Sequence, residues 1–255
     1  MHEDNFDNMK IDDGIVILEI EPNSLIINSK YFYPVLIYDD KNLCLIDTGL
    51  PDSYNSIKNK MKNEGFDIAN LNKIIFTHQD IDHIGGLRSI LSKVPKIETM
   101  AHKLDKPFIE GDIPLERSKF IKGKFKSFLF KLLMNYYIKF KKILFKIYKT
   151  LENRDILDIA GGINVIHTPG HTPGHICLYH KKSKTMIVGD ELRIINGKLV
   201  GVNENLMNEE DVKTAYSSLK SLLDYDIENI VTFHSGLFKD NPNKAIKDLI
   251  EKFNK

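Results

Sequence analysis

Four short hydrophobic segments of this 255-residue chain each run into a histidine or an aspartate. They are Ile74–His78, Asn164–His171, Met186–Asp190 and Asn229–His234. In layered α/β folds, functional groups gather beyond the carboxyl ends of the strands, at one edge of the sheets. Because the chain has only nine histidines, four such endings are hard to attribute to chance. The pattern predicts that these residues meet in one site.

The densest ending is FTHQDIDHIGG, residues 76–86. It places two histidines and two aspartates within six positions, and both residue types bind metal ions. In an extended loop alternate side chains point to the same side, so His78, Asp80 and Asp82 would face one way. Gly85–Gly86 would then let the chain turn tightly into a helix. The segment predicts half of a metal site.

Short β-rich runs open the chain as a meander, and later strands alternate with helices. The predicted strands are Ile15–Ile20, Ser24–Ile27, Tyr33–Tyr38, Leu43–Ile46, Lys73–Phe76, Lys96–Met100, Ile156–Ile166, Ile176–Tyr179, Thr185–Val188 and Asn229–Phe233. The predicted helices are Asp52–Glu64, one from about Gly86, Asn208–Asp224 and Pro242–Phe253. This order is typical of a layered α/β protein whose sheets are covered by helices. We expect one domain, residues 1–255, with an insertion at about 112–155.

The motifs THQDIDH, HTPGHTPGH, VGD and FHSG, in this order and spacing, resemble the metal-binding motifs of the metallo-β-lactamase superfamily. The glyoxalase II and lactonase-like branch is the most similar. Asp47–Thr48–Gly49 also resembles that family's early Asp-Thr-Gly turn. The resemblance spans Leu36–Gly236 without the insertion, and it implies an αββα sandwich with the site at one edge, between the two sheets.

The resemblance also implies a ligand set for two divalent metal ions. One ion would be held by His78, Asp80 and His171, and the other by Asp82, His83 and His234. Asp190 would bridge the two ions. Asp82 is also the expected catalytic residue, because it could accept a hydrogen bond from the nucleophile.

Asp80 is where the chain departs from most hydrolases of the superfamily, which have histidine at this position. Zinc is the first expectation for both ions. A carboxylate is a harder ligand than an imidazole, so Asp80 moves the preference toward iron or manganese. An acidic residue here also resembles the flavodiiron proteins, which carry glutamate.

Several polar residues near the motifs are expected to support the site without binding metal. His175 is the better candidate for orienting a ligand, and His167 is expected to be structural. Asp47 is expected to hold the loops together, and His102 to lie away from the metals. His180 is expected to be solvated.

The function that the resemblance implies is metal-dependent hydrolysis, in which a metal-bridging hydroxide cleaves an ester, lactone or thioester of a small molecule. No Gly-x-Ser-x-Gly elbow is present to supply a serine nucleophile. Arg193 occupies a position where lactonase-like relatives have tyrosine, and could bind an anion or only be solvated. Phosphodiesterase or nuclease activity is one alternative. An iron-binding oxidoreductase with a flavodiiron-like site is another, although a flavodoxin-like domain is not expected in this chain.

The insertion is strongly basic. Residues 117–154 contain 12 Lys or Arg and a single acidic residue, Glu152. Phe125–Lys149 has a helical period with a broad apolar face and a narrow lysine stripe. We expect a lid over the site, with a homodimer contact or an anionic-membrane contact as alternatives. Nucleic acid is not favoured, because the aromatic residues lie on the apolar face, away from the lysines.

Cys44 and Cys177 are isolated within strand-like apolar segments. Buried free thiols are therefore expected, which suits a reducing cytoplasm. The first residues lack the cationic start and apolar run of a signal peptide, and no stretch has the length of uncharged apolar sequence that spans a bilayer. A cytoplasmic protein is the expectation.

Overall fold

The first sheet has seven strands in chain order, within the residues that the computed structural model describes, 9–12, 14–22, 29–113 and 146–254. The strands are β1 (Met9–Asp12), β2 (Ile15–Ile17), β3 (Val35–Tyr38), β4 (Leu43–Ile46), β5 (Lys73–Ile75), β6 (Glu98–His102) and β7 (Lys149–Leu151). Strands β1 to β4 form an antiparallel meander, and β4 to β7 are parallel. The carboxyl ends of β4, β5 and β6 therefore meet at one edge of this sheet.

The second sheet has six strands within the same residues, and a small separate hairpin follows its fourth strand. In chain order the strands are β8 (Ile156–Leu157), β9 (Ile163–His167), β10 (Ile176–His180), β11 (Thr185–Ile187), the hairpin β12 (Arg193–Ile195) and β13 (Lys198–Val200), then β14 (Asn229–Thr232) and β15 (Gly236–Phe238). The sheet order is β15-β14-β11-β10-β9-β8, with β11 and β14 parallel.

Alternating side chains join the two sheets face to face. Along β2, Ile15 and Ile17 point into the core between the sheets, whereas Val16 belongs to the core on the outer face. On the second sheet, Val165 points inward and Ile166 outward. Burying each such side chain contributes about 1.5–3 kcal/mol. Because successive residues of a strand point to opposite faces, each strand contributes both to the core between the sheets and to the core under the helices on its outer face.

Helices cover both outer faces. The helices α1 (Tyr54–Asn63), α2 (Ile81–Ile84), α3 (Leu87–Leu91) and α4 (Lys106–Ile109) pack on the first sheet, and α5 (Glu209–Ser218) and α6 (Pro242–Phe253) lie on the second. Short 3-10 helices occupy Ile68–Asn70, Glu204–Leu206 and Leu219–Asp224. The predicted αββα sandwich is confirmed. Both cysteines are buried and free, as expected.

The strand prediction is wrong in two places: it joins two strands that a turn separates, and it omits a hairpin. Ile156–Ile166 is not one strand: Gly161 and Gly162 adopt φ of 89° and 110° and turn the chain between β8 and β9. The β12–β13 hairpin is absent from the sequence prediction although Asn196–Gly197, both with positive φ, is a strong two-residue turn signal. The predicted strand Ser24–Ile27 lies outside the described residues.

The end of the basic segment belongs to the sandwich. Strand β7 pairs in parallel with β6, so Lys149 is in a strand and not at the end of a helix as predicted. Ile147 is 2% exposed and packs in the core on the outer face of the first sheet. The rest of the predicted amphipathic helix, up to residue 145, lies outside the described residues. Among the helices that are described, none is long and apolar enough to cross a bilayer.

Candidate metal centre

Four strand ends converge at one edge of the sandwich. Strands β5, β9, β11 and β14 are each followed by one of the motifs predicted from the sequence. All seven predicted ligands fall into two clusters, and within each cluster the donor atoms lie within 4.8 Å of one another. The first cluster contains His78, Asp80, His171 and Asp190; the second contains Asp82, His83 and His234.

The first cluster is buried. Oδ2 of Asp80 lies 3.5 Å from Nε2 of His78 and 3.4 Å from Nε2 of His171. Oδ2 of Asp190 lies 3.4 Å from the same nitrogen of His171. The side chains of His78 and His171 are 0% and 1% exposed, so solvent reaches this cluster poorly.

The second cluster is more open and shares Asp190 with the first. Nε2 of His234 lies 3.3 Å from Oδ2 of Asp82 and 3.2 Å from Oδ1 of Asp190. Nε2 of His83 lies 3.3 Å from the same oxygen of Asp190. Asp190 therefore turns one carboxylate oxygen toward each cluster, which is the arrangement that a bridging ligand requires.

Charge is concentrated in the second cluster. Burial lowers the pKa of His234, but Asp190 and Asp82 outweigh it and raise that pKa to about 10. Burial also opposes the ionisation of Asp190, yet His234 and His83 hold its pKa well below the ordinary value. The carboxylates and histidines of the second cluster thus favour each other's charged forms.

The chemistry of these donors fits divalent ions. Nε2 of His78 is buried and makes no hydrogen bond to another described residue, and the buried Nε2 of His83 faces Oδ1 of Asp190 at 3.3 Å. Buried polar atoms without a hydrogen bond are costly, and metal coordination would satisfy them. Each cluster offers two imidazole nitrogens and one carboxylate of its own, with Asp190 between them, a mixture that suits Zn²⁺, Fe or Mn.

Asp47 fixes the ring of His83. Its Oδ2 lies 2.9 Å from Nδ1 of His83, its Oδ1 accepts a 2.9 Å bond from the Thr77 amide, and the Thr77 hydroxyl donates to Oδ2 at 2.7 Å. Since that hydroxyl proton goes to Asp47, Nδ1 of His78, 3.0 Å away, acts as the donor to Thr77 Oγ1. Both imidazoles thus keep Nε2 for the cluster. The expectation that Asp47 holds the loops together is confirmed.

His175 supports Asp190, in agreement with the role expected for it. The Asp190 amide donates to Nε2 of His175 at 3.3 Å, and Nδ1 of His175 lies 2.8 Å from the Thr168 hydroxyl. Burial, followed by the neighbouring His78 and His171, lowers the pKa of His175 well below its ordinary value. A neutral His175 can accept the Asp190 amide and so position the residue shared by both clusters.

One carboxylate of the site was missed in the sequence. Asp105 is fully buried and accepts hydrogen bonds from the Gln79 amide at 2.9 Å, the Thr172 hydroxyl at 2.8 Å and the Gly174 amide at 2.7 Å. It therefore contacts the loops that carry His78 and His171. The signal that could have found it is a fifth strand end, since Asp105 follows β6 on the same edge.

Three details of the predicted site are corrected. Asp82 and His83 lie on α2, not in an extended loop, because α2 begins at Ile81 directly after Asp80. His180 is buried, not solvated, and its ring nitrogens bond Ser183 and Ala160. The Arg193 side chain is partly buried and not simply solvated: its Nε and Nη2 donate to the carbonyl oxygens of Gly201 and Val202. His102 is in neither cluster and stacks on His167, with ring centroids 4.0 Å apart.

The sequence is similar to several bacterial proteins. It is 25% identical over 235 residues to "Uncharacterized protein YobT" of Bacillus subtilis, covering 86% of this chain and 89% of that protein. It is 26% identical over 202 residues to "Probable metallo-hydrolase YflN" of the same organism, covering 74% of each. It is 25% identical to a hydroxyacylglutathione hydrolase of Francisella tularensis, covering 79% of this chain and 62% of that protein.

Solved structures share the fold. The metallo-beta-lactamase family protein TTHA1429 of Thermus thermophilus superimposes with a TM-score of 0.67 at 17% identity, covering 94% of this chain and 79% of that one. A B3 metallo-beta-lactamase described as having an active-site glutamic acid superimposes with a TM-score of 0.63 at 13% identity, covering 94% and 86%. The model of the metallo-beta-lactamase superfamily matches residues 33–234. With that match, the sandwich and the converging His and Asp clusters, the chain belongs to the metallo-β-lactamase superfamily.

Proposed function

We propose that the chain is a dinuclear metallohydrolase that cleaves an ester, lactone or thioester of a small molecule. The observation that carries the proposal is the position of Asp190, whose two oxygens face two separate clusters of histidine and aspartate. Hydrolase names among the relatives support the reaction class. The choice among ester, lactone and thioester is carried by the resemblance of the motifs alone.

His78, Asp80 and His171 would hold one ion, Asp82, His83 and His234 the other, and Asp190 both. Bound there, the ions would supply an activated water at neutral pH and polarise the scissile carbonyl. The side chains of Asp82 and His234 are 13% and 20% exposed, which supports entry of a substrate at the second cluster. We assign to Asp82 the catalytic role of accepting a hydrogen bond from the attacking water.

Zinc is the first candidate for both ions, and iron or manganese are the alternatives. The second-position carboxylate, Asp80, makes the donor sets of the two clusters the same in kind: two imidazoles, one carboxylate and a share of Asp190. Three aspartates also bring more negative charge than two would. The additional carboxylate and its charge move the preference toward harder ions than zinc.

Metal analysis tests the dinuclear proposal. Protein purified without added metal, and then loaded separately with Zn²⁺, Mn²⁺ or Fe²⁺, should bind two ions per chain when measured by elemental analysis. One ion or none would contradict the proposal. Asp190→Ala should lower the content to one ion or fewer and reduce turnover by at least a factor of about 100, since the residue contacts both clusters.

A substrate panel tests the reaction class. The loaded protein should hydrolyse aryl esters, lactones or thioesters, with Asp190→Ala as the blank for each. Turnover confined to bis-p-nitrophenyl phosphate would replace the proposal with phosphodiesterase activity. Oxygen consumption by iron-loaded protein without hydrolysis would replace it with the oxidoreductase alternative.

A further inference from the structure

We propose that Asp105 is a positioning residue for the first cluster, holding the loops of His78, Asp80 and His171 in ligating geometry before an ion binds. The inference rests on the proposed dinuclear function for its consequence, metal occupancy. Its structural content, the fixing of two loops by one carboxylate, concerns the metal-free protein and can be tested independently.

The contacts of Asp105 reach both ligand loops of the first cluster. Oδ2 accepts the amide of Gln79, the residue between His78 and Asp80, and the hydroxyl of Thr172, the residue after His171. Oδ1 accepts the amide of Gly174 in the same loop. One carboxylate thus ties β5's loop to β9's loop across the two sheets.

The Asp105 carboxylate bonds these distant loops and does not cap the helix that follows it. It stands at the position before α4 where an aspartate usually accepts amides of the first helical turn, yet its side chain makes no capping bond to α4. The carboxylate is instead turned away from its own helix toward loops that are 26, 67 and 69 positions distant in the chain. Helix α4 therefore lacks the stabilisation of a side-chain cap, and the carboxylate stabilises the loops after β5 and β9.

The absence of a side chain at Gly174 makes room for the Asp105 carboxylate. A Cβ atom on Gly174 would lie 2.6 Å from Oδ1 and 2.5 Å from the amide nitrogen of Asp105. The second glycine of HTPGHTPGH therefore permits the close approach of the carboxylate. Burial raises the pKa of Asp105 to about 6 against the opposing effect of its hydrogen bonds, so a buried carboxylate is kept here at a cost.

Asp105 is bonded only to the loops of the first cluster among the described residues, whereas Asp47 contacts His83 of the second cluster and reaches His78 of the first only through the Thr77 hydroxyl. Asp47 contacts His83 directly, whereas Asp105 acts through Gln79, Thr172 and Gly174 on the neighbours of the ligands. Loss of Asp105 should therefore weaken one metal position more than the other. A residue needed only for general stability would affect both positions, or neither.

The first experiment measures amide hydrogen exchange in the metal-free protein. Asp105→Asn keeps the size of the side chain, but its NH2 group would face either the Gly174 amide or both donors to Oδ2, the Gln79 amide and the Thr172 hydroxyl. Exchange at Gln79 and Gly174 should become at least about tenfold faster, while the amides of β4 keep their protection. Thr172→Val, which removes one donor and leaves two, should give a smaller increase and guards against failure of the first variant to fold.

The matched control is Asp39→Asn. Asp39 also accepts hydrogen bonds from several backbone amides, those of Lys41, Asn42 and Ala160. It lies at the turn between β3 and β4, at the end of these strands opposite the candidate metal centre. This variant should leave exchange at Gln79 and Gly174 unchanged. Unchanged exchange in Asp105→Asn as well would overturn the inference.

The second experiment titrates Zn²⁺ and Co²⁺ against a chromophoric chelator. In Asp105→Asn one ion should bind as in the wild type and the other about 10–100-fold more weakly, and the Co²⁺ absorption of the weakened position should change. Equal weakening of both ions, or of neither, would overturn the inference. A wild-type protein that binds fewer than two ions would instead contradict the proposed function, and the exchange measurement would then decide the role of Asp105 by itself.

Discussion

Nδ1 of His83 lies 2.9 Å from Oδ2 of Asp47, and this contact determines that Nε2 faces Asp190. Asp47 achieves it from a left-handed backbone conformation, with φ of 62°. Aspartate and asparagine tolerate that conformation better than other residues with a side chain. Asp47 thus has two functions: it accepts a hydrogen bond from His83, and it shapes the turn after β4.

Replacing Asp47 should separate these two functions. Asp47→Asn keeps the tolerated backbone but not the charge, and should weaken ion binding by about 10–100-fold in a chelator titration. Asp47→Ala should do the same and also lower the free energy of unfolding of the metal-free protein by about 1 kcal/mol more, as the cost of the left-handed conformation. Wild-type affinity in both variants would contradict the assignment.

Asp80→His should increase the preference for zinc. An imidazole suits Zn²⁺ better than a carboxylate does, relative to harder ions. In competition dialysis against equal Zn²⁺ and Mn²⁺, the ratio of bound zinc to manganese should rise by about tenfold, measured by elemental analysis. Asp52→His, an exposed position in the turn before α1, is the control and should leave the ratio unchanged.

Metal binding should release protons from the second cluster. The pKa of His234 is raised from 6.5 to about 10 in the metal-free protein, so near neutral pH its proton must leave when an ion binds. Titration calorimetry in buffers of different ionisation enthalpy should show at least one proton released, and the affinity should increase as pH rises toward about 10. A result independent of the buffer would contradict this.

The stability of the metal-free protein should have the opposite pH dependence. Because the folded pKa of His234 is raised, the stabilisation from its pairing with Asp190 and Asp82 is complete below 6.5 and is lost as pH rises through about 10. Urea unfolding over that range should show a falling midpoint. In His234→Gln, which has no titrating ring, the fall should be smaller.

Asp39 should stabilise the protein at the end of the sandwich away from the metals. Slight burial raises the pKa of Asp39, but hydrogen bonds from Ala160, Asn42 and Lys41 outweigh it and lower that pKa from 3.8 to about 2. A lowered pKa means stabilisation that is present above 3.8 and lost as pH falls through about 2. Asp39→Ala should cost about 1 kcal/mol at neutral pH, because solvent screens an exposed carboxylate. The difference from wild type should shrink in acid, as measured by urea unfolding.

Most of the candidate metal centre could be predicted from the sequence, because each of its residues is marked by a pattern of neighbouring residues. Each ligand follows an apolar run within a few positions, and the carboxyl ends of neighbouring strands in such sheets meet at one edge. The period of two in Ile15, Val16 and Ile17 likewise assigns residues to the inner and outer faces. These features need no knowledge of the packing between distant elements.

Asp105 could not be found in the same way. Its three donors are 26 to 69 positions away, and an aspartate before Lys106–Pro107 has the local appearance of a helix cap. His180 is a similar case: its burial depends on Ala160 and Ser183 closing around it. Such residues become recognisable only when the fold brings separate segments together.

The two clusters offer the same kinds of donor atom, and this has a consequence for how a substrate would be oriented between them. Because each position presents the same kinds of donor atom, the ions alone would not distinguish the two sides of a scissile bond. In the proposed dinuclear function the distinction would come from access, because the side chains of His78 and His171 are 0% and 1% exposed, whereas those of Asp82 and His234 are 13% and 20% exposed. Under that proposal, the residues surrounding the centre, and not the two ions, would determine which end of a substrate enters first.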